Sequence, residues 1–265
     1  MTKRTRVSAA CVLVTLLVVP LAAAQEQAPG QKPSPKDTEV WEPEPKVVTP
    51  GATDAAPPSD AIVLFGGQNL DAWVNAKDGA PAGWTVADGV FVVNKPVGNI
   101  QTKQSFTNYQ LHIEWRVPAN ITGKDQGRGN SGLFLASVGG GDGGYELQIL
   151  DSYNNRTYSN GQAGSIYKQA IPLANAMRKP GEWNTYDVIW AAPTFNADGS
   201  LKSPARVTAL HNGVLIQNGY QLTGQTLYIG KPSYKVHGPT PIKLQAHGDP
   251  SEPLSFRNIW LRELP

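Results

Sequence analysis

Short runs of alternating hydrophobic and polar residues recur along most of the chain, and each run has the length of a β-strand. In Tyr145–Leu150, for example, Leu147 and Ile149 alternate with Glu146 and Gln148. A period of two places successive side chains on opposite faces of a sheet. The pattern predicts eleven strands, at residues 62–65, 83–86, 90–93, 109–117, 132–138, 145–150, 183–190, 206–210, 214–217, 241–247 and 256–262.

Turn residues separate these runs, and no run has the 3.6-residue period of an amphipathic helix. Asp88-Gly89, Asn196–Gly199 and Asn212-Gly213 tolerate positive φ values, which is typical of tight hairpins. Many short strands without crossover helices predict an all-β protein, an antiparallel β-sandwich of the jelly-roll type.

Several of the predicted strands combine one apolar face with one face rich in Glu, Gln, His, Asn and Arg. Besides the strand at 145–150, Glu114 and Arg116 alternate with apolar residues in one run, and Gln245 and His247 do so in another. Sugar hydroxyl groups need paired donors and acceptors, and sugar rings stack on aromatic side chains. We therefore expect these polar faces to line a carbohydrate groove.

The glycine-rich stretch within Ser131–Asp151 contains a formal G-x-G-x-x-G match at Gly139, Gly141 and Gly144. A dinucleotide-binding loop needs a strand before it and a helix after it, because the helix N-terminus binds the pyrophosphate. A predicted strand follows these glycines instead. The pattern therefore favours a hairpin over a nucleotide-binding loop.

The first 60 residues differ from the rest of the chain. Met1–Ala24 has a basic start, an apolar run and a small-residue end, which predicts a cleavable signal peptide and export to the periplasm or the medium. Gln25–Asp60 is rich in proline and predicts a disordered linker. Ala61–Pro265 is then one domain. Because Cys11 is the single cysteine, the mature chain would contain no disulfide and no thiol.

Charge and motifs exclude several classes of partner. The 265 residues include 23 Lys and Arg against 21 Asp and Glu, so the net charge is only +2 and no basic block indicates nucleic acid. The N-terminal apolar run is too short for a membrane anchor. No H-E-x-x-H motif, His-rich cluster or acidic calcium loop is present, so neither a metal ion nor another cofactor is indicated.

Two further segments supply individual candidates for a site. In GRGNSGLF, Arg128 and Asn130 are candidate hydrogen-bond donors, and a purely structural bend is an open alternative. The G-x-S-x-G pattern of a nucleophilic serine fails at Leu133. Glu146 directly follows the glycine-rich loop, and His247 lies at a strand end, where an imidazole can act as general acid or base near neutral pH.

Eight segments along the domain carry a resemblance to a known family. They are LFGGQNLDAW, GNSGLFL, GGYELQILDSY, GQAGSIYKQ, RKPGEWNTYDVIW, LHNGVLIQN, LQAHGDP and FRNIWLREL, within residues 64–264. In this order they resemble the bacterial 3-keto-disaccharide hydrolase domain family. The resemblance implies a concanavalin A-like jelly roll, action on oxidised glycosides as carbohydrate substrates, and a functional link to an oxidoreductase that installs the 3-ketone.

The chemistry implied by this resemblance begins with the ketone, which makes the proton on C2 acidic. A base would remove that proton, an acid would help the C1 substituent to leave, and water would add later. We expect Glu146 and His247 to be the base and the acid, in either order. Substrate contacts are expected from a larger polar set, namely Glu114, Arg116, Arg128, Asn130, Gln148, Asp151, Lys168 and Gln245.

Two other functions fit the same features. A carbohydrate-binding module without chemistry could use the same groove, because a fold does not determine a function. A conventional glycosidase would use a pair of carboxylates and would act on unoxidised glycosides.

Overall fold

The computed structural model describes residues 32–265, and the chain divides into two compact units, Met1–Lys46 and Val47–Pro265. The predicted signal peptide, Met1–Ala24, and the beginning of the predicted linker lie outside the described residues. No helix within residues 32–265 is long and apolar enough to cross a membrane.

The described part of the first unit contains one short 3₁₀ helix, Pro35–Thr38. Ser34 caps this helix, because its hydroxyl accepts from the backbone N–H of Lys36 at 3.4 Å and its own N–H donates to Asp37 at 2.8 Å. None of the helical residues is buried. The linker interpretation stays a prediction for this segment.

The second unit contains fifteen strands, and every strand pair is antiparallel. The strands are β1 Ile62–Phe65, β2 Trp73–Asn75, β3 Thr85–Ala87, β4 Val90–Val92, β5 Ile100–Thr102, β6 Tyr109–Arg116, β7 Ser131–Ser137, β8 Gly144–Ile149, β9 Trp183–Ala191, β10 Thr194–Phe195, β11 Leu201–Ser203, β12 Arg206–His211, β13 Val214–Gln221, β14 Lys243–Leu244 and β15 Ser255–Glu263. Three further 3₁₀ helices occur in this unit, at Lys95–Val97, Asp125–Gly127 and Ser159–Gly161.

The strands form two main sheets. The larger sheet has the order β13-β12-β9-β6-β15-β4-β3, with β1 also paired to β15, and the smaller sheet has the order β2-β5-β14-β7-β8. A separate hairpin joins β10 and β11. The predicted all-β, antiparallel fold class is confirmed.

The hydrophobic core lies between the two sheets. Tyr186 of the larger sheet donates its hydroxyl to the backbone carbonyl of Gln148 in the smaller sheet at 2.8 Å. The rings of Tyr145 and Trp190, again one from each sheet, have centroids 5.4 Å apart. Replacing such a buried ring with alanine typically costs about 3–5 kcal/mol, so these contacts hold the two sheets face to face.

The sequence pattern predicts long strands better than short ones. It misses β2, β5, β10 and β11, which have two or three residues each and are too short to show an alternation. The predicted strand at 241–247 is also longer than the observed one, because only Lys243–Leu244 makes sheet pairs.

Strict alternation fails in β15, where the register against β6 shifts between Arg257 and Trp260. Asn258 has a φ of 45°, which marks the irregular residue of this bulge. Phe256 and Ile259 therefore both enter the core, although three positions separate them. A period of two across residues 256–262 wrongly assigns Arg257 to the same face as Ile259.

Residues 47–60, which the sequence pattern assigns to the linker, belong to the second compact unit. The carbonyl of Ala55 accepts from Asn258 Nδ2 at 2.8 Å and from Trp260 Nε1 at 2.9 Å, and Arg262 lies 2.7 Å from Asp60. Composition does not reveal these contacts, because the Ala55 acceptor is a backbone carbonyl that any residue would supply.

Candidate active site

The glycine-rich stretch forms the hairpin between β7 and β8, with Ser137 paired to Gly144. Gly144 has a φ of 134°, and a Cβ at this position would lie 2.1 Å from the carbonyl of Ala136. Only glycine fits here without a rearrangement. The strand that follows the loop, rather than a helix, agrees with the hairpin interpretation and not with a nucleotide-binding loop.

A cavity of about 340 Å³ lies against the outer face of the smaller sheet. We call it the sheet cavity. Five of the ten predicted site residues line it, namely Asn130, Glu146, Gln148, Gln245 and His247. Asp142, Tyr167, Thr226 and Tyr228 complete its lining.

Strand geometry places Glu146 and Gln148 in the sheet cavity. Tyr145, Leu147 and Ile149 enter the core, so the two residues between them project from the opposite face. The free edge of β8 is covered by a loop, because Gln148 donates its N–H to the carbonyl of Ser165 at 2.9 Å. The polar side chains of β8 consequently lie under a loop and not on an open surface.

Glu146 is only 7 % exposed, and its environment keeps the carboxyl group protonated at neutral pH. Burial, and then the negative charge of Asp142, raise its pKa to about 8, although Lys243 acts in the opposite direction. The opposite strand leaves room for this side chain. A Cβ on Gly132 would lie 2.4 Å from Glu146 Oε1.

Lys243 is 1 % exposed and ties β14 to the glycine-rich hairpin. Its ammonium group donates to the carbonyls of Gly141 and Gly143 at 2.7 and 2.9 Å, and it lies 4.1 Å from the centroid of the Phe134 ring. Burial lowers the pKa of Lys243 to about 8, with Asp142 and Glu146 opposing the shift. The lysine therefore holds the loop that carries Asp142 beside Glu146.

His247 is oriented by a buried carboxylate. Its Nδ1 lies 3.0 Å from Asp249 Oδ2, and the side chain of Asp249 is 2 % exposed. Burial opposes ionisation of Asp249, but hydrogen bonds with His247 and Ser251, together with the charge of Lys95 at 3.3 Å, outweigh it and lower its pKa. The backbone N–H of Asp249 also points to Nδ1, at 3.2 Å, and would donate to a lone pair there. The ionised carboxylate at 3.0 Å is the stronger partner, because a charge-assisted hydrogen bond is about twice as strong as a neutral one, and it favours the proton on Nδ1 and a lone pair on Nε2.

Three amide side chains line the cavity beside these two groups. Asn130 donates to the carbonyl of Gln126 at 2.8 Å and accepts from Gln148 Nε2 at 3.2 Å. Within residues 32–265, the buried Oε1 atoms of Gln148 and Gln245 have no hydrogen-bond partner. An unpaired buried acceptor costs about 1–3 kcal/mol, so both atoms are suited to hydroxyl groups of a ligand.

Glu114 and Arg116 do not line the sheet cavity, because both lie on β6 in the larger sheet. Glu114 accepts from Arg257 Nε at 2.6 Å and from Asn258 Nδ2 at 2.8 Å. Burial opposes its ionisation, yet these partners lower its pKa. Arg116 lies 4.5 Å from the centroid of the Trp183 ring. Both residues therefore stabilise the outer side of the larger sheet.

Arg128 and Asp151 also lie outside the lining, and they form an ion pair of 2.7 Å between Nε and Oδ2. Asp151 is fully buried and also accepts from the N–H of Tyr153 at 3.0 Å. Burial raises the pKa of Asp151 despite its pairing with Arg128. The pair joins the start of β7 to the end of β8, and the geometry is that of a structural contact.

Lys168 lies next to the sheet cavity without lining it. Its ammonium group donates to the carbonyl of Tyr228 at 2.7 Å. Among residues 32–265, no group of three or more His, Cys, Asp and Glu side chains is arranged to hold a metal ion.

Sequence reasoning does not assign Tyr167, Thr226, Tyr228, Lys243 or Asp249 to the site. The sequence does contain a signal for two of them. Lys243 and Gln245 are two residues apart in a predicted strand and therefore project from the same face, and Asp249 follows His247 by two residues. Thr226 and Tyr228 lie in a loop without strand periodicity. The N–H and the hydroxyl of Thr226 both donate to the carbonyl of Gly144, and the carbonyl of Tyr228 accepts from Lys168 Nζ.

The antiparallel sandwich and its amide-rich cavity are those of a carbohydrate-active jelly-roll domain. The chain belongs to the family described as 3-keto-alpha-glucoside-1,2-lyase-like domain, whose family model matches residues 60–262. The resemblance found in the sequence is therefore confirmed. No protein with a curated description matches the chain.

Solved structures of proteins from Parabacteroides distasonis ATCC 8503, each described as a "putative glycosyl hydrolase", share this architecture. One is 57 % identical, with a TM-score of 0.81, and the match covers 87 % of this chain and 97 % of that protein. A second is 21 % identical with a TM-score of 0.55, over 78 % and 94 % of the two chains, and supports the fold alone.

Proposed function

We propose that this chain cleaves 3-keto-α-glucosides by general acid–base elimination, followed by addition of water. The observation that carries the proposal is the meeting in one cavity of a protonated carboxyl group, Glu146, and an imidazole oriented by a carboxylate, His247. A carboxyl group that keeps its proton and an imidazole oriented by a carboxylate are the groups that a general acid and a general base require.

His247 is the base in this proposal. The 3-ketone makes the C2 proton acidic, and the lone pair on Nε2 takes that proton. The electrons of the C2–H bond first form an enolate with the ketone and then the C1=C2 double bond. Asp249 favours this step because its negative charge stabilises the imidazolium that forms.

Glu146 is the acid. As the C1–O bond breaks, its proton passes to the leaving oxygen, so that the aglycone departs as an alcohol. Addition of water then returns both groups to their starting states. Glu146 takes a proton from the attacking water, C1 gains the hydroxyl group, and the imidazolium returns a proton to C2.

The amide side chains hold the sugar during these steps. The unpaired Oε1 atoms of Gln148 and Gln245 accept from hydroxyl groups. The amide N–H of Gln245 is the donor for the 3-carbonyl oxygen, because the amides of Asn130 and Gln148 donate to Gln126 and Asn130. The family description and the 57 % identical relative support an oxidised or ordinary glucoside as substrate. Export of the chain and supply of its substrate by an oxidoreductase acting at C3 belong to the same proposal.

The test compares methyl 3-keto-α-glucoside with methyl α-glucoside and analyses the products of each. We expect only the keto sugar to be consumed, and we expect Glu146→Gln and His247→Ala to reduce its turnover about 10²-fold or more. Lys179→Ala, at an exposed ion pair, is the control. Equal hydrolysis of the unoxidised sugar would identify a conventional glycosidase, and binding without consumption of either would identify a carbohydrate-binding module.

A further inference from the structure

A second cavity, of about 370 Å³, lies beside the sheet cavity. Tyr158, Lys168, Leu227 and Pro232 are part of its lining, and Tyr167 lines both cavities. The two spaces therefore share a wall. We call the second space the tyrosine cavity.

Three tyrosine rings surround one ammonium group where the two cavities meet; Tyr158 and Tyr167 line the tyrosine cavity, and Tyr228 lines the sheet cavity. Lys168 Nζ lies 4.2 Å from the ring centroid of Tyr228, 5.5 Å from that of Tyr158 and 5.7 Å from that of Tyr167. Cation–π attraction of this kind holds an ammonium group over the face of a ring. The hydroxyls of Tyr158 and Tyr167 are also 2.8 Å apart. These contacts preorganise the rings before any ligand binds.

The backbone of Lys168 is held as firmly as its side chain. Its φ is 58°, a conformation that non-glycine residues rarely adopt. The N–H of Lys168 donates to the carbonyl of Asn160 at 2.8 Å, which fixes this conformation. Such local strain is characteristic of functional positions.

Apolar and aromatic surface is unusually exposed around the tyrosine cavity. Tyr228 is 71 % exposed and the adjacent Ile229 is 80 % exposed, while Tyr158 and Leu227 are each 38 % exposed. Concentrated exposure of large apolar side chains at the rim of a cavity is typical of a ligand-binding surface.

The wall shared by the two cavities is in contact with Glu146, the proposed acid. The N–H of Tyr167 donates to the backbone carbonyl of Glu146 at 3.2 Å, so the shared wall is joined directly to the residue that protonates the leaving group. A sugar bound in the sheet cavity with its C1 oxygen beside Glu146 would direct the C1 substituent towards this wall.

We propose that the tyrosine cavity is the leaving-group subsite of the enzyme and that it binds a ring, either an arene or a pyranose, through the faces of its tyrosines. This inference rests on the proposed function. Both kinds of ring present a flat apolar face, and both stack on tyrosine, whereas a methyl aglycone is too small to reach the rings.

The first experiment measures binding by calorimetry, with the unoxidised methyl and phenyl α-glucosides and a glucosyl disaccharide as ligands. We expect phenyl α-glucoside to bind about 5-fold more tightly than methyl α-glucoside to the full chain. Tyr158→Ala should abolish that preference, and Tyr158→Phe should retain it because the ring remains. Tyr153→Ala is the matched control, since Tyr153 is also 38 % exposed and lines neither cavity.

The ligands also distinguish the two kinds of ring. A disaccharide that binds as tightly as the phenyl glucoside assigns a sugar to the subsite, and a preference for the phenyl compound alone assigns an arene. Equal binding of all three ligands, or a preference unchanged in Tyr158→Ala, would overturn the inference.

Turnover separates this inference from the proposed function. With 3-keto substrates, we expect the ratio of kcat/KM for phenyl over methyl aglycones to fall about 5-fold in Tyr158→Ala. Cleavage of both substrates with an unchanged ratio contradicts the subsite and leaves the proposed function intact. Absence of any cleavage contradicts the proposed function, and the calorimetric comparison still decides whether rings bind in this cavity.

Discussion

His247 Nδ1 lies 3.0 Å from Asp249 Oδ2, and this contact determines which nitrogen of the imidazole is available for chemistry. Asp249 is itself held by Lys95 and Ser251, so the orientation of His247 depends on a fixed carboxylate and not on a mobile surface residue. The residue pair gives the sheet cavity a base with a defined tautomer.

Replacing Asp249 with asparagine tests this relationship. The amide removes the charge that stabilises the imidazolium and allows the wrong tautomer, so we expect kcat on a 3-keto-glucoside to fall by about 10²-fold or more. Asp187→Asn is the matched control, because it changes a carboxylate that lies 2.6 Å from Nδ1 of another histidine, His112. Asp187 lies on β9 of the larger sheet and does not line the sheet cavity. A variant of Asp249 with nearly normal kcat would remove His247 from the role of base.

The protonation of Glu146 predicts how activity depends on pH. The acid must carry its proton, and its pKa is raised to about 8, so kcat/KM should fall as pH rises through that value. Measuring kcat/KM of the wild-type protein between pH 6 and 10 tests for this fall. A profile that stays flat above pH 9 would contradict the assignment of Glu146 as the acid.

The same shift predicts a dependence of stability on pH. In the unfolded chain, Glu146 ionises near pH 4.3, whereas in the folded protein it ionises only near pH 8. Between these values the unfolded state binds fewer protons, so stability is lost as pH rises through the window. Glu146→Gln has no such loss. Its melting temperature should therefore rise relative to that of the wild type from pH 5 to pH 8, and a constant difference would show that the shift is absent.

Gly132 provides a test of geometry without a change of chemistry. In Gly132→Ala, the new methyl group would lie 2.4 Å from Glu146 Oε1 and 3.0 Å from its Cδ, and the end of the flexible side chain must move. A displacement of about 1 Å can reduce turnover by about 10²-fold. Gly238→Ala is the control, because no atom lies within 4 Å of its added Cβ. Full activity in Gly132→Ala would mean that the position of the carboxyl group is unimportant.

The ion pair of Arg128 and Asp151 is expected to act on stability. Arg128→Ala would leave the fully buried Asp151 without its partner, and we expect a loss of about 3 kcal/mol in the free energy of unfolding measured with urea. Lys179→Ala breaks the exposed pair with Glu182 and should cost less than about 1 kcal/mol. A large rise in KM with unchanged stability would instead assign Arg128 to substrate binding.

The alternation of residues could predict the faces of the strands but not their sheets. Leu147 and Ile149 are in the core and Glu146 and Gln148 are not, as the period of two requires. Glu114 has the same polar parity in β6, yet it lies in the other sheet. Parity is a local property, whereas the sheet to which a strand belongs depends on pairing between distant segments.

The parts of the site that come from loops could not be predicted in this way. Tyr228 and Thr226 have no periodic neighbours, and Thr226 reaches the cavity because its N–H donates to the carbonyl of Gly144 at 2.8 Å. The bulge at Asn258 is equally invisible to a pattern of hydrophobicity. Backbone hydrogen bonds of this kind depend on position and leave no trace in side-chain chemistry.

The most direct test of the central claim is cleavage of a 3-keto-α-glucoside in D₂O, with NMR detection of hydrogen at C2 of the released sugar. In elimination followed by addition of water, the imidazolium of His247, whose side chain is 36 % exposed, exchanges its proton with solvent before it returns one, so C2 gains a deuteron. Direct displacement at C1 keeps the original C2 proton. After subtraction of the exchange in a protein-free sample, we predict deuterium at C2 with the wild type and a loss of both cleavage and exchange in His247→Ala. Release of 3-keto-glucose that retains its C2 proton would contradict the account.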